Sequence, residues 1–353
     1  MSARGEVSDL FNGRDVDIDV KLNLDGRNLA EFADQQSLED LAPLTGSLKI
    51  SDAQGALGIQ ALKLNSVHET LSMDVSGSFV DFNKPETLVL KASVKARDLA
   101  LVGALFDRDW PDYAPFELSS NIGRDGQRVH MNTSVRAGKK SIDAQLHGDY
   151  SKDIPNYVGK LTLHQLSLPD FYVKAAENRR AREKDRKKQE TRVFSRESLG
   201  FDLLKKVNLA LVIDVDSFDR TDSEAESADF SVNLKDGHLL VSPGVLKYPK
   251  GQLDIELSVD ARDEPEINYK AAGNNLNPWL GLSGGERDAK DPVNAEVDIA
   301  IQLAARGRSP HELASTLDGD LYMTIKDGNM SRSFTDLLFV DIVGWTASLV
   351  KDQ

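Results

Sequence analysis

The sequence predicts an all-β protein with minor helices, an elongated and mostly antiparallel curved sheet. Three observations predict the strands: apolar and polar residues alternate strictly in run after run, Asp-Gly turn dipeptides separate the runs, and helix signals are few. Alternation gives a strand one apolar and one polar face. Parallel strands buried on both faces would instead read as continuous apolar runs with helices between them.

The runs begin with Val16, Ile18, Val20, Leu22 and Leu24, between which stand Asp17, Asp19, Lys21 and Asn23. Leu71-Met73-Val75-Gly77-Phe79, Leu88-Leu90-Ala92-Val94-Ala96, Phe116-Leu118-Ser120-Ile122, Val129-Met131-Thr133-Val135 and Ile142-Ala144-Leu146-Gly148-Tyr150 follow. The pattern resumes in Val207-Leu209-Leu211-Ile213-Val215, Phe230-Val232-Leu234, Leu253-Ile255-Leu257-Val259 and Val297-Ile299-Ile301-Leu303. Asp25-Gly26, Asp125-Gly126, Asp236-Gly237 and Asp327-Gly328 each supply a glycine for the positive φ of a tight hairpin. About sixteen strands in hairpins and meanders are expected.

A repeat organises them. Asn28-Leu29, Asp98-Leu99, Gln165-Leu166 and Asn275-Leu276 each follow a strand run, and their leucines stand 70, 67 and 110 residues apart. The longest interval contains a charged insertion of about forty residues, and removing it restores a period of about seventy. Leu41-Ala42-Pro43-Leu44 and Tyr113-Ala114-Pro115-Phe116 mark re-entry into strands after the first two instances. Each unit reads as a small meander plus a crossover that stacks on its neighbours. The resulting division is 1–170 as two such units, 171–206 as a charged helical or disordered insertion, 207–306 as further repeat, and 307–353 as a terminal region of capped helix, hairpin and amphipathic helix.

From Lys174 to Arg192 mixed charge runs without an apolar stripe. Arg179, Arg180, Arg182, Arg186, Lys187 and Lys188 could attract anionic lipid head groups, but interleaved Glu177, Glu183, Asp185 and Glu190 dilute that field, so a solvated loop is the reading. Ser309-Pro310-His311-Glu312 carries the signals of a helix start: a serine cap, proline at the first helical position and a glutamate placed to close a capping box, with Gly319 ending the helix. Phe334 to Trp345 reads as an amphipathic helix that caps a core or rests on a membrane surface.

Composition excludes several function classes. A net charge of −14 would repel a phosphate backbone, which argues against nucleic acid as a partner. With no cysteine there are no disulfides, thiolate metal sites or cysteine nucleophiles. His68, His130, His147, His164, His238 and His311 are scattered without metal-ligand spacing, so no metal is expected. No nucleophile elbow or phosphate-binding glycine loop is present; Gly281-Leu282-Ser283-Gly284-Gly285 lacks the flanking strand and helix. Asp17 and Asp19 share the solvent face of an alternating strand. No constellation supports an enzyme, and no cofactor is expected.

Each apolar side chain left in water forgoes about 1.5–3 kcal/mol, so something must cover the apolar faces. Two sheets could close as a sandwich, a barrel could sit in a membrane, or a curved sheet could hold hydrocarbon. At 7% aromatic residues, with no girdles at strand ends, the membrane barrel fits worst. Periodicity alone places the sandwich slightly ahead of the groove.

A resemblance changes that order. Leu22-Asn23-Leu24-Asp25-Gly26-Arg27-Asn28-Leu29 followed by Leu41-Ala42-Pro43-Leu44-Thr45-Gly46-Ser47-Leu48 resembles the cadence of AsmA-family proteins. The stretch from Gly307 to Leu321, GxSPxELxxxLxGxL, is similar to the family's C-terminal signature. The resemblance implies a repeating β-groove, kinship with bridge-like lipid-transfer proteins, and phospholipid traffic between the inner and outer membranes of Gram-negative bacteria. It implies a periplasmic protein tethered by an inner-membrane helix, which this sequence lacks. The expected partners are phospholipid acyl chains, membrane surfaces at the groove ends and other envelope proteins. On this reading the groove is lined by Val16, Ile18, Val20, Leu22, Leu71, Met73, Val75, Phe79, Leu88, Leu90, Val94, Phe116, Leu118, Ile122, Ile142 and Leu146. Further along the chain the lining comprises Leu209, Leu211, Ile213, Val215, Leu253, Ile255, Leu257, Val259, Val297, Ile299, Ile301 and Leu303. The alternative is a structural or assembly scaffold of the envelope with a closed sandwich core.

Overall fold

The computed structural model describes residues 2–9, 14–25, 44–53, 55–68, 70–104, 108, 110–167, 194–219, 225–276 and 296–326. The chain divides into two compact units, Met1–Gln165 and Leu166–Gln353. The first holds β1 (Ser2–Asp9), β2 (Arg14–Leu24), β3 (Leu44–Ser51), β4 (Gly58–Ser66), β5 (Leu71–Phe79), β6 (Leu88–Ala96), β7 (Phe116–Asp125), β8 (Arg128–Ala137), β9 (Lys140–Asp149) and β10 (Asn156–His164). The second holds β11 (Asn208–Val215), β12 (Ser227–Lys235), β13 (His238–Lys247), β14 (Gln252–Asp260), β15 (Glu266–Leu276), β16 (Glu296–Arg306) and β17 (Asp318–Lys326). Helices are minor: α1 (Leu99–Ala104), α2 (Pro310–Ser315) and two 3₁₀ turns, Pro85–Thr87 and Phe201–Lys205.

Within each unit every strand pairs antiparallel with its neighbour in sequence, through tight turns in some cases and through longer connections such as the helix-bearing one between β6 and β7 in others. Gly126 and Gly237 take φ of +59° and +82° in two of those turns, and Asp236 takes +51° beside Gly237. Among the described residues the first and last strands of a unit do not pair with each other. The sheets are therefore open and curved, forming a groove rather than a closed barrel.

Register irregularities keep the faces in phase. Between β12 and β13, Phe230 pairs with Gly244 and Val232 with Val241, so Ser242 and Pro243 together oppose Ser231 and the strand carries one extra residue. Proline is tolerated there because a bulged position needs no ladder donor. Without such bulges the apolar residues beyond them would turn outward.

The repeat positions acquire physical roles. Asp98 Oδ1 accepts the Leu101 N–H at 2.7 Å and thereby caps α1. Gln165 and Asn275 end their strands with φ of +55° and +48°, turning the chain out of the sheet. Strands β3 and β7 start at Leu44 and Phe116, directly after prolines 43 and 115. Ser309 caps α2 by accepting the Glu312 N–H at 3.2 Å, while a Glu312 carboxylate oxygen accepts the Arg308 N–H at 2.6 Å. That helix ends at Ser315, earlier than expected; Gly319 lies instead in β17, with φ of +151°. Asn28-Leu29, the charged run 174–192, the glycine-rich stretch 281–285, Asp327-Gly328 and the segment 334–345 lie outside the described residues.

Candidate functional site

The registers carry apolar positions across the strands in rows. In the first unit one row runs Val20, Leu48, Leu62, Gly77, Leu90, Ile122, Met131, Leu146, Gly159 across nine strands. The next runs Leu22, Gly46, Leu64, Val75, Ala92, Ser120, Thr133, Ala144, Leu161. In the second unit Ile213, Phe230, Gly244, Ile255, Ala271, Ile301 and Leu321 form one row. Leu211, Val232, Val241, Leu257, Tyr269 and Leu303 form its neighbour. Directly paired residues point to the same side of an antiparallel sheet, so each unit has one apolar face.

The opposite faces are charged. Lys49 meets Asp17 at 3.2 Å, Lys95 meets Glu117 at 3.5 Å, Lys247 meets Asp229 at 3.0 Å and Arg306 meets Glu266 at 3.1 Å. Such exposed pairs contribute about 0–1 kcal/mol each, so their importance is to mark which face is wet. A cavity of about 430 Å³ among β13–β17 also draws on this face, through Asp254, Glu256, Lys270, Gln302, Asp320 and Tyr322. Lys270 is paired with Glu256 there at 3.5 Å, so this depression lies on the charged side.

The residues predicted to line a groove lie on the two apolar faces. Val16, Leu71, Val94, Phe116, Val215, Val259 and Val297 are buried. Ile142 is exposed at 46%, and the other twenty are half-buried. Among the described residues the largest fully buried side chains are Pro265 and Ser51. A sheet packed against a second sheet would bury leucines, isoleucines and phenylalanines completely. Among the described residues each unit has one sheet, and most of its apolar face has no protein lid.

Among the described residues a lid lies at one end of the first unit. Asp98 starts α1, whose Leu101 and Val102 join Leu71, Val94, Ala96, Phe116 and Ala137 in a buried cluster, with Leu99, Trp110 and Tyr113 packed around it. Away from that end most members of the rows are half-buried, while Ala144 and Ala271 are buried and Leu321 is exposed. The rows are apolar except where the Ser120 and Thr133 hydroxyls hydrogen-bond to each other at 2.8 Å.

Among the described residues no group of acidic or histidine side chains could hold a metal ion, and no helix is long and apolar enough to cross a membrane. Sequence reasoning missed the contributions of β3, β4, β10 and β17 to these rows, including Leu48, Leu62, Leu64, Leu161 and Leu321. Alternation was present at Leu62 and Leu64, but short runs broken by bulges hide it.

The AsmA family model matches residues 1–342. The chain belongs to the AsmA family. AsmA proteins form an envelope-associated family, and the all-β architecture agrees with that membership. No curated protein and no solved structure gives a match.

Proposed function

We propose that this AsmA-family chain is a non-catalytic lipid-binding protein of the bacterial envelope, whose apolar faces hold phospholipid acyl chains in transit between the inner and outer membranes. The observation that carries the reading is the half-buried state of some twenty aliphatic and aromatic side chains aligned in rows. Their exposed apolar area costs about 25 cal/mol per Å², and a hydrocarbon chain lying along a row removes it from water. Because such contacts are non-directional, lipid selection by the rows is loose. The proposed setting is the periplasm, with a tether to the inner membrane and membrane surfaces at the ends of the groove as partners.

Family membership supports the envelope setting, and the open sheets support acyl-chain binding over a scaffold with a closed core. The test is uptake of a fluorescent fatty acid by the whole chain. Saturable binding competed by phospholipid is expected. Absence of uptake by a folded protein contradicts the proposal.

A further inference from the structure

The two strand ends of the first unit are unlike. At one end α1 covers the face and buries Leu71, Ala96, Phe116 and Ala137. At the other, where the β5–β6, β7–β8 and β9–β10 turns lie, no helix among the described residues covers the face, and aromatic residues gather there. Phe79 and Phe82 meet edge to face with centroids 5.3 Å apart, and Phe82 is 44% exposed. Tyr157 stands on the apolar side of β10, paired with Gly148, and Tyr150 closes over the same glycine from the adjoining turn. The two rings lie nearly perpendicular at 5.8 Å. A Cβ on Gly148 would come within 3.2 Å of both rings, so the glycine gives the pair its seat.

Their phenol oxygens are 2.6 Å apart. Each tyrosine has one O–H, so one hydrogen is used within the pair and the other is available to an outside acceptor. Among the described residues no hydrogen bond uses it. Burial, the bond to Tyr157 and the nearby charge of Glu86 push the Tyr150 phenol up, so it remains a donor at any physiological pH. Aromatic rings with a polar tip are the side chains that settle where hydrocarbon meets head groups. Charge at this rim is close to balanced: Lys84 pairs with Asp81 at 3.6 Å, and Arg128 and Lys152 act on Asp149, with Glu86 near the phenols. An anionic head group would find no excess of cations, whereas a zwitterionic one can set its phosphate toward a phenol hydrogen and its ammonium toward a carboxylate.

Building on the lipid-groove reading, we propose that the Tyr150–Tyr157 pair is the head-group contact of the first unit, donating its free phenol hydrogen to a phosphate or ester oxygen of a zwitterionic phospholipid whose tails lie on the apolar rows.

The test uses the full chain, a fluorescent phosphatidylcholine, a fluorescent phosphatidylglycerol and the uncharged apolar dye N-phenylnaphthylamine. The doubly substituted Tyr150→Phe/Tyr157→Phe protein keeps both rings and loses both hydroxyls. Its phosphatidylcholine affinity should fall about tenfold or more, the loss of one hydrogen bond to a charged group. Dye uptake should be unchanged, which also reports an intact apolar face. Tyr113→Phe at the covered end, where Tyr113 Oη accepts from Lys140 Nζ at 2.8 Å, should leave phosphatidylcholine binding unchanged. Equal phosphatidylcholine affinity in wild type and the double variant, or tighter binding of phosphatidylglycerol than phosphatidylcholine by wild type, overturns the head-group assignment while leaving the groove intact. A wild-type protein that takes up neither lipid nor dye overturns the groove reading and this assignment with it.

Discussion

Ser120 on β7 and Thr133 on β8 stand directly opposite each other and join hydroxyls at 2.8 Å in the middle of an apolar row. Ala92 and Ala144 flank them in the same row, so the pair makes a small polar island between aliphatic neighbours. Each hydroxyl is half-buried and satisfied by the other. Removing one strands its partner. Ser120→Ala alone should cost about 1 kcal/mol, Thr133→Val alone a similar amount, and the double variant much less than their sum. Urea denaturation of the three variants measures this coupling; strictly additive losses would show that the hydroxyls do not depend on each other.

The covered end of the first unit should be its most sensitive region. Phe116 is 5% exposed and packs in the cluster closed by α1, so Phe116→Ala should destabilise by about 3–5 kcal/mol. Ile142, predicted to belong to the same lining, is 46% exposed, and Ile142→Ala should cost less than about 1 kcal/mol. Protease susceptibility and urea midpoints will rank the two, and comparable losses would contradict an open face.

Asp98 ties acid sensitivity to the same end. Burial disfavours its charged form, yet bonds from the Arg97 guanidinium and the Leu101 N–H outweigh that and hold the carboxyl below the usual range. A carboxyl depressed in the folded state adds stability that is complete above its unfolded value, about 3.9, and is lost as pH falls through the lower folded value. Asp98→Asn should therefore be less stable than wild type at neutral pH, with the gap narrowing below about pH 4. A gap that stays constant from pH 6 to pH 2 would deny Asp98 this role.

Much of the architecture was legible in the residues because alternation reports faces directly. Val16–Leu22, Leu71–Phe79, Leu88–Ala96 and Leu253–Val259 all form strands with their apolar members on one side. Strand β13 was harder to see, because Pro243 and Gly244 interrupt its pattern and only the bulge restores the phase. Ser2–Asp9 carries little apolar alternation of its own and becomes a strand by pairing with β2. Helix α2 showed its start through Ser309 and Glu312, but its end depended on tertiary bonds: Thr316 Oγ1 accepts the Arg306 N–H at 2.8 Å, next to β16. The Tyr150–Tyr157 pair could not be read in advance. It requires a turn to fold one tyrosine back over Gly148, and nothing in a local pattern specifies that closure.

The most direct measurement of the central claim is mass spectrometry of the whole chain purified without harsh detergent, beside the Leu211→Asp and Ile255→Asp variants. Leu211 and Ile255 sit in adjacent rows of the second unit, half-buried, where a carboxylate would meet any hydrocarbon present. Co-purified phospholipid in wild type, sharply reduced in both folded variants, is the predicted result. A wild-type protein free of lipid, or folded variants that retain as much as wild type, would contradict it.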